Sequence, residues 1–140
     1  MDTRRWTVVG FSLVFALNAT FALAQANTLV AKVPFSFTVL ERTLPAGEYL
    51  VMIGPHQVKI VDADQRVVAT VLANEVSDRP SSTRGQISFH CYGSRCFLWE
   101  VWPPAFGNGR RLLISPSETF AARQQLPQYF AILSDGPRKK

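Results

Sequence analysis

The sequence predicts an all-β fold: an antiparallel β-sandwich or small barrel of about seven or eight strands, with one short C-terminal helix. Three observations predict it. Apolar and polar residues alternate with period two through most of the chain, which is the strand period. Gly, Pro and Asp turn signals separate these runs at short intervals. No helical pattern recurs between strands, which removes a parallel βαβ sheet.

The first element lies outside the domain. Arg4 and Arg5 precede an apolar run to Ala24, and Ala22-Leu23-Ala24 and Ala24-Gln25-Ala26 are A-x-A patterns. A basic start, an apolar stretch and small residues before a cut describe a secretory signal peptide over residues 1–24, cleaved after Ala24 or Ala26. The competing reading is a membrane anchor. The run is broken by Ser12, Asn18 and Thr20 and is marginal in length for a span. Residues 25–134 form the expected single β domain, followed by a basic tail over 135–140.

Within the domain, Val33, Phe35, Phe37 and Val39 alternate with Lys32, Pro34, Ser36 and Thr38. Pro34 has no amide donor, so this strand belongs at an edge or begins after the proline. Leu44-Pro45-Ala46-Gly47 fits a type II turn with Gly47 at positive φ. Residues 48–53 make the next strand, closed by Gly54-Pro55. Residues 56–61 follow and end at Asp62-Ala63-Asp64-Gln65, and residues 66–73 make a fourth strand. Residues 74–85 read as a polar loop. Residues 86–92 and 95–102 are the fifth and sixth strands, and 110–114 a seventh. Ser115 suits an N-cap, Pro116 the first helical position, and Glu118 the third residue after the cap. A helix to about Gln125 results, ended by Pro127. Residues 129–133 can add a last strand.

Composition narrows the function classes. The 140 residues hold 15 Lys and Arg against 10 Asp and Glu. Removing Arg4 and Arg5 from the 15 and Asp2 from the 10 leaves 13 and 9, a net of +4. That charge is dispersed apart from Arg110-Arg111 and the tail, which fits solubility and not a nucleic-acid footprint. After residue 24 no stretch is long and apolar enough to span a membrane. The remaining chain of about 115 residues can bury a core without disulfides.

Both cysteines lie in FHCYGSRCFLWEVW, residues 89–102. With Gly93-Ser94 as a two-residue type II′ turn, Tyr92 faces Arg95 and Cys91 faces Cys96. The facing pair is a non-hydrogen-bonded one, about 4.5 Å between Cα atoms, within disulfide range. A cross-strand disulfide Cys91–Cys96 is favoured over two free thiols, and both over metal or redox roles. Two cysteines alone cannot complete a zinc site, and the spacing is not that of a redox dithiol. His90 and Cys91 are strand neighbours on opposite faces, a poor dyad.

Catalytic motifs are missing. Asp62 and Asp64 open like a calcium loop, but no Gly and closing Glu follow at the required distances. No nucleophile elbow, zinc-protease helix, P-loop or dinucleotide fingerprint occurs. No catalytic residue, metal or cofactor is therefore assigned. A small hydrolase would need Glu75 and Asp78 of the 74–85 loop to meet His56 or His90. Trp102 and Phe106 are the candidate binding residues, since exposed aromatics at a loop can stack on a sugar ring. Packing of Trp99 in the core, with Trp102 over its edge, is the favoured alternative. Phe97, Trp99 and Val101 are expected on one face, with Cys96, Leu98, Glu100 and Trp102 on the other.

Three blocks in order, VPFSFTVLERTLPAGEYLV, ISFHCYGSRCFLWEVW and GRRLLISPSE, resemble small exported proteins common in acidobacterial genomes. The resemblance covers most of residues 30–122 and rests on VPFxFxV, LPAGxYxV, YGxxxFLxxVW and GrxLxxSxxE. It implies an exported all-β domain with no established activity and carries over no functional residue. Cysteines at 91 and 96 depart from its pattern, which favours a local staple. Together these readings lead to an exported, non-enzymatic domain of the envelope or secreted fraction, structural or binding a protein or polysaccharide of the envelope.

Overall fold

A computed structural model describes residues 28–78, 84–104 and 107–134. The expected signal peptide and basic tail, Phe106 and residues 79–83 of the polar loop lie outside the described residues. The described chain is all-β with one short helix, in the order β1 (Thr28–Val33), β2 (Phe37–Val39), β3 (Arg42–Leu44), β4 (Gly47–Ile53), β5 (Gln57–Val61), β6 (Val67–Val76), β7 (Gln86–Tyr92), β8 (Arg95–Trp102), β9 (Gly109–Leu112), α1 (Pro116–Gln124) and β10 (Gln128–Leu133).

The ten strands form one open, sandwich-like sheet. One layer is β1-β4-β5-β6. The other holds β10-β7-β8, with β9 and β2-β3 on the far side of β8. Strand β6 serves both layers: its first half pairs β5 and residues 73–76 pair β9. All pairings are antiparallel except β2 with β8, joined at Thr38 and Phe97. Between the layers lies one apolar core, drawn from Leu29, Phe37, Val51, Val58, Val71, Phe89, Leu98 and Val101 among others.

Three local expectations change. The predicted first strand is two strands, β1 ending at Val33 and β2 starting at Phe37, because Pro34 interrupts the ladder. Gly47 does not take a positive φ; Leu40, Gln65, Gly93 and Gly107 do. Gly47 is already paired with Val33 in β4. The 44–47 link carries the chain from one layer to the other, so it need not reverse tightly. The Tyr49 hydroxyl donates to the Pro45 carbonyl at 2.6 Å and fixes that corner. Strand β6 extends into the expected loop to Val76, setting Glu75 opposite Arg110 as a cross-strand pair of unlike charge.

Other turns form as the residues require. Asp62 Oδ1 accepts the amides of Asp64 and Arg66 at 3.0 and 2.9 Å, so the Asp62–Asp64 turn is held by its own carboxylate. Gly93 has φ 61° at the first turn position, Tyr92 faces Arg95, and Cys91 faces Cys96. The sulfurs of Cys91 and Cys96 are bonded, with Cα atoms 4.0 Å apart. Ser115 caps α1 by accepting the Glu118 amide. The exposed Glu41 carboxylate accepts the Ser117 hydroxyl and amide at the same helix end. These bonds hold the Glu41 carboxyl below its ordinary value.

Candidate functional site

Strand β8 decides which side chains leave the core. Ser88 of β7 faces Glu100, but Phe89 faces Leu98, so Trp99 is an extra residue without a partner. This β-bulge advances the alternation by one. Leu98 and Val101 both enter the core between the layers. The expected grouping of Phe97, Trp99 and Val101 is thereby corrected: beyond Trp99 the faces exchange, and Val101 joins Leu98.

The outer side of β7 and β8 carries a dense polar and aromatic cluster. His90 Nδ1 lies 2.9 Å from Glu118 Oε1, which also accepts the Tyr92 hydroxyl at 3.3 Å. All three residues are buried. Burial, followed by the charge of Glu118, raises the Tyr92 phenol above its ordinary value. The His90 ring stacks on Trp99 at 4.1 Å and meets Tyr129 edge-on at 4.9 Å. The Arg111 guanidinium sits 4.9 Å from the Trp99 ring. It donates twice to Glu100 Oε1, at 2.9 and 2.7 Å, while the Trp102 indole donates to Glu100 Oε2 at 3.1 Å. Helix α1 closes this side by packing Ala121 with Tyr92 and Phe97.

This arrangement is a brace between α1, β7, β8 and β9. The Glu118 carboxylate ties the helix to β7, and Glu100 ties β8 to β9. His90 Nε2 is the one buried side-chain polar atom without a partner among the described residues. A general base must reach a substrate proton, and Nε2 is shut away from solvent. A groove of about 400 Å³, lined by residues 39–42 and 68–71, and a smaller one near Tyr49 and Asp62 contain none of these groups.

The residues singled out from sequence scatter. Trp102 is 1 % exposed, its ring pressed on Gly109. It therefore offers no free face to a sugar. The alternative reading is corrected in its other half: Trp99 is half-buried in the outer cluster against His90 and Arg111, not in the core. Phe106 is outside the described residues. Glu75 is bonded to Asn108 from β6, and Asp78 is exposed beyond that strand. His56 lies in the β4–β5 turn, where its carbonyl accepts the Ala73 amide. Among the described residues no hydrogen bond or ion pair joins Glu75 or Asp78 to a histidine, and no group of three or more His, Cys, Asp or Glu is placed to hold a metal.

Sequence reasoning missed two features. Glu118 was legible as a helix-start residue, but 28 positions separate it from His90 and no spacing rule links them. The exposure of β10 was also missed. Its six residues, QYFAIL, include Tyr129 at 67 %, Phe130 at 49 % and Leu133 at 40 % exposure. The available signal was an uncharged run after Pro127 that lacks the apolar–polar alternation of the other strands. Comparison with protein-family models, curated proteins and solved structures finds no match to the chain.

Proposed function

We propose that the chain is an exported, non-enzymatic β domain of the cell envelope or secreted fraction that works by holding a partner. The observation that carries this reading is β10: an edge strand with exposed aromatic and aliphatic side chains on both faces. Apolar side chains gathered at an edge mark interaction surfaces more often than catalytic ones. Export is supported by the signal-peptide pattern and by the Cys91–Cys96 disulfide, which persists in oxidising compartments. No helix among the described residues is long and apolar enough to cross a membrane. The buried brace supports the same reading, because its ionisable groups are spent on one another.

The test places a photo-crosslinking phenylalanine analogue at Phe130 in the producing cells, with Lys59 of β5 as the control position. Adducts from Phe130 and not from Lys59, in envelope or medium, on chains beginning at Gln25 or Asn27, are the expected result. A cytosolic chain that retains residues 1–24, or equal adducts from both positions, overturns the reading.

A further inference from the structure

The geometry points to a second copy of this chain as the occupant of the β10 edge: we propose that β10 pairs antiparallel with β10 of another molecule about a two-fold axis at Ala131. This deepens the partner reading above and rests on it for the choice of edge.

The hydrogen-bonding parity of β10 comes first. The Ser134 amide donates to the Gly85 carbonyl at 2.7 Å, continuing the register in which Leu133 faces Gln86. In an antiparallel ladder such bonds fall on alternate residues. Even-numbered positions of β10 therefore aim their amides and carbonyls at β7. Tyr129, Ala131 and Leu133 aim theirs outward. Among the described residues no strand pairs with that side. Strand β1 belongs to the other layer and does not pair with β10; just past β10, Ser134 Oγ donates to the Val30 carbonyl.

The other open edges are guarded. Strand β1 carries Lys32, and Arg42 of β3 donates to the Val68 carbonyl on the uncovered part of β6. Charged residues of this kind discourage strand addition. QYFAIL contains none. About a two-fold axis the residue on the axis meets its own copy, so a charge at that position would meet a like charge. An uncharged strand escapes that penalty when it meets itself.

Register supplies the next argument. An axis at Ala131 sets Ala131 against Ala131, Tyr129 against Leu133, and Phe130 against Ile132 of the second copy. The three outward residues then face outward residues, which gives roughly six backbone hydrogen bonds. Each aromatic meets an aliphatic, a favourable cross-strand pairing, and the smallest side chain occupies the axis. The contact is isologous, so it closes at two copies.

Area sets the strength. Tyr129, Phe130 and Leu133, with Leu126 at 89 % exposure beside them, offer on the order of 400 Å² of apolar surface per copy. That is about half of what a standard stable interface buries on each side. The dimer is accordingly concentration-dependent, with a Kd on the order of 10–100 μM.

Sedimentation velocity of the purified protein from about 1 to 300 μM tests this. The weight-average mass is expected to rise from one copy to two and no further. Ala131→Lys and Ala131→Glu are each expected to stay monomeric on their own, and an equimolar mixture of the two to recover the dimer. The substituted side chain lies on an exposed position and leaves the β7 ladder intact, so unfolding midpoints stay near that of the parent. Hydrogen exchange on the unsubstituted protein is a check that needs no variant. The amides of Tyr129, Ala131 and Leu133 gain protection as concentration rises. A constant monomer mass to 300 μM, unchanged exchange at those amides, or a mixture that fails to pair overturns the proposal. Phe130 adducts to a different molecule, found together with a monomeric protein, overturn self-pairing and leave the partner reading standing.

Discussion

Replacing Gly109 by alanine tests the packing that buries Trp102. A Cβ at Gly109 would lie 2.6 Å from indole Cδ2 and 2.7 Å from Cε2 and Cε3. Carbon atoms pack at about 3.5–4.0 Å, so the ring or strand β9 must retreat by about 1 Å. The ring has little room, being 1 % exposed and tied by its N–H to Glu100 Oε2. Glu100 is in turn held by Arg111 of β9 itself. Overpacking of this kind costs about 1–3 kcal/mol. If the ring swings aside, a hydrogen bond to a carboxylate worth about 1.5–3 kcal/mol is also lost. Reduced freedom of the unfolded chain returns about 0.4–1 kcal/mol, since Gly109 does not use positive φ. The expected net cost is about 2–3 kcal/mol. Urea unfolding followed by tryptophan fluorescence measures it. With a slope of about 1.5 kcal/mol per molar, the midpoint falls by roughly 1.3–2 M at constant slope. The same substitution in a Trp102→Leu background is expected to cost much less, because contacting sites couple by about 0.5–3 kcal/mol. A cost below about 0.5 kcal/mol, or equal costs in both backgrounds, refutes the proposed contact.

Replacing both Cys91 and Cys96 by alanine is expected to lower stability by about 2 kcal/mol, the loop-closure value for six residues, with the fold retained in circular dichroism. Glu118→Ala strands the His90 Nδ1 and Tyr92 hydroxyl groups under α1 and is expected to cost about 2–3 kcal/mol in thermal unfolding, whereas Glu118→Gln keeps an acceptor and costs less than half of that. The Tyr92 and Tyr49 phenols are both raised from 10.0, chiefly by burial. Above pH 10 the unfolded chain releases these protons before the folded one does, so stability falls as pH rises beyond that point. Tyr92→Phe is expected to flatten this alkaline limb in pH-dependent urea titrations, and an unchanged limb counts against the burial argument.

Signals within a few residues were legible. Gly93-Ser94 placed the hairpin, and through it the facing of Cys91 and Cys96, because turn type fixes register. Ser115, Pro116 and Glu118 placed the helix start, because a cap is a bond across three residues. Pro34 marked a break in the ladder, though not that two different strands flank it. Face assignment failed at Trp99, because a bulge is invisible to a pattern that assumes strict alternation. The His90–Glu118 contact was illegible for another reason. It depends on where α1 settles after β8 and β9 have formed, which no local spacing encodes.

The sequence by itself determined the fold class, the strand and turn punctuation, the cysteine hairpin and the helix cap. All of these follow from backbone geometry and bonds between near neighbours. The tertiary structure alone decided that Trp102 is covered, that Glu118 serves His90 and Tyr92, and that β10 stands at an edge with its aromatic residues exposed. Burial is a property of what lies across a layer, and for β10 no strand among the described residues pairs with its outer edge.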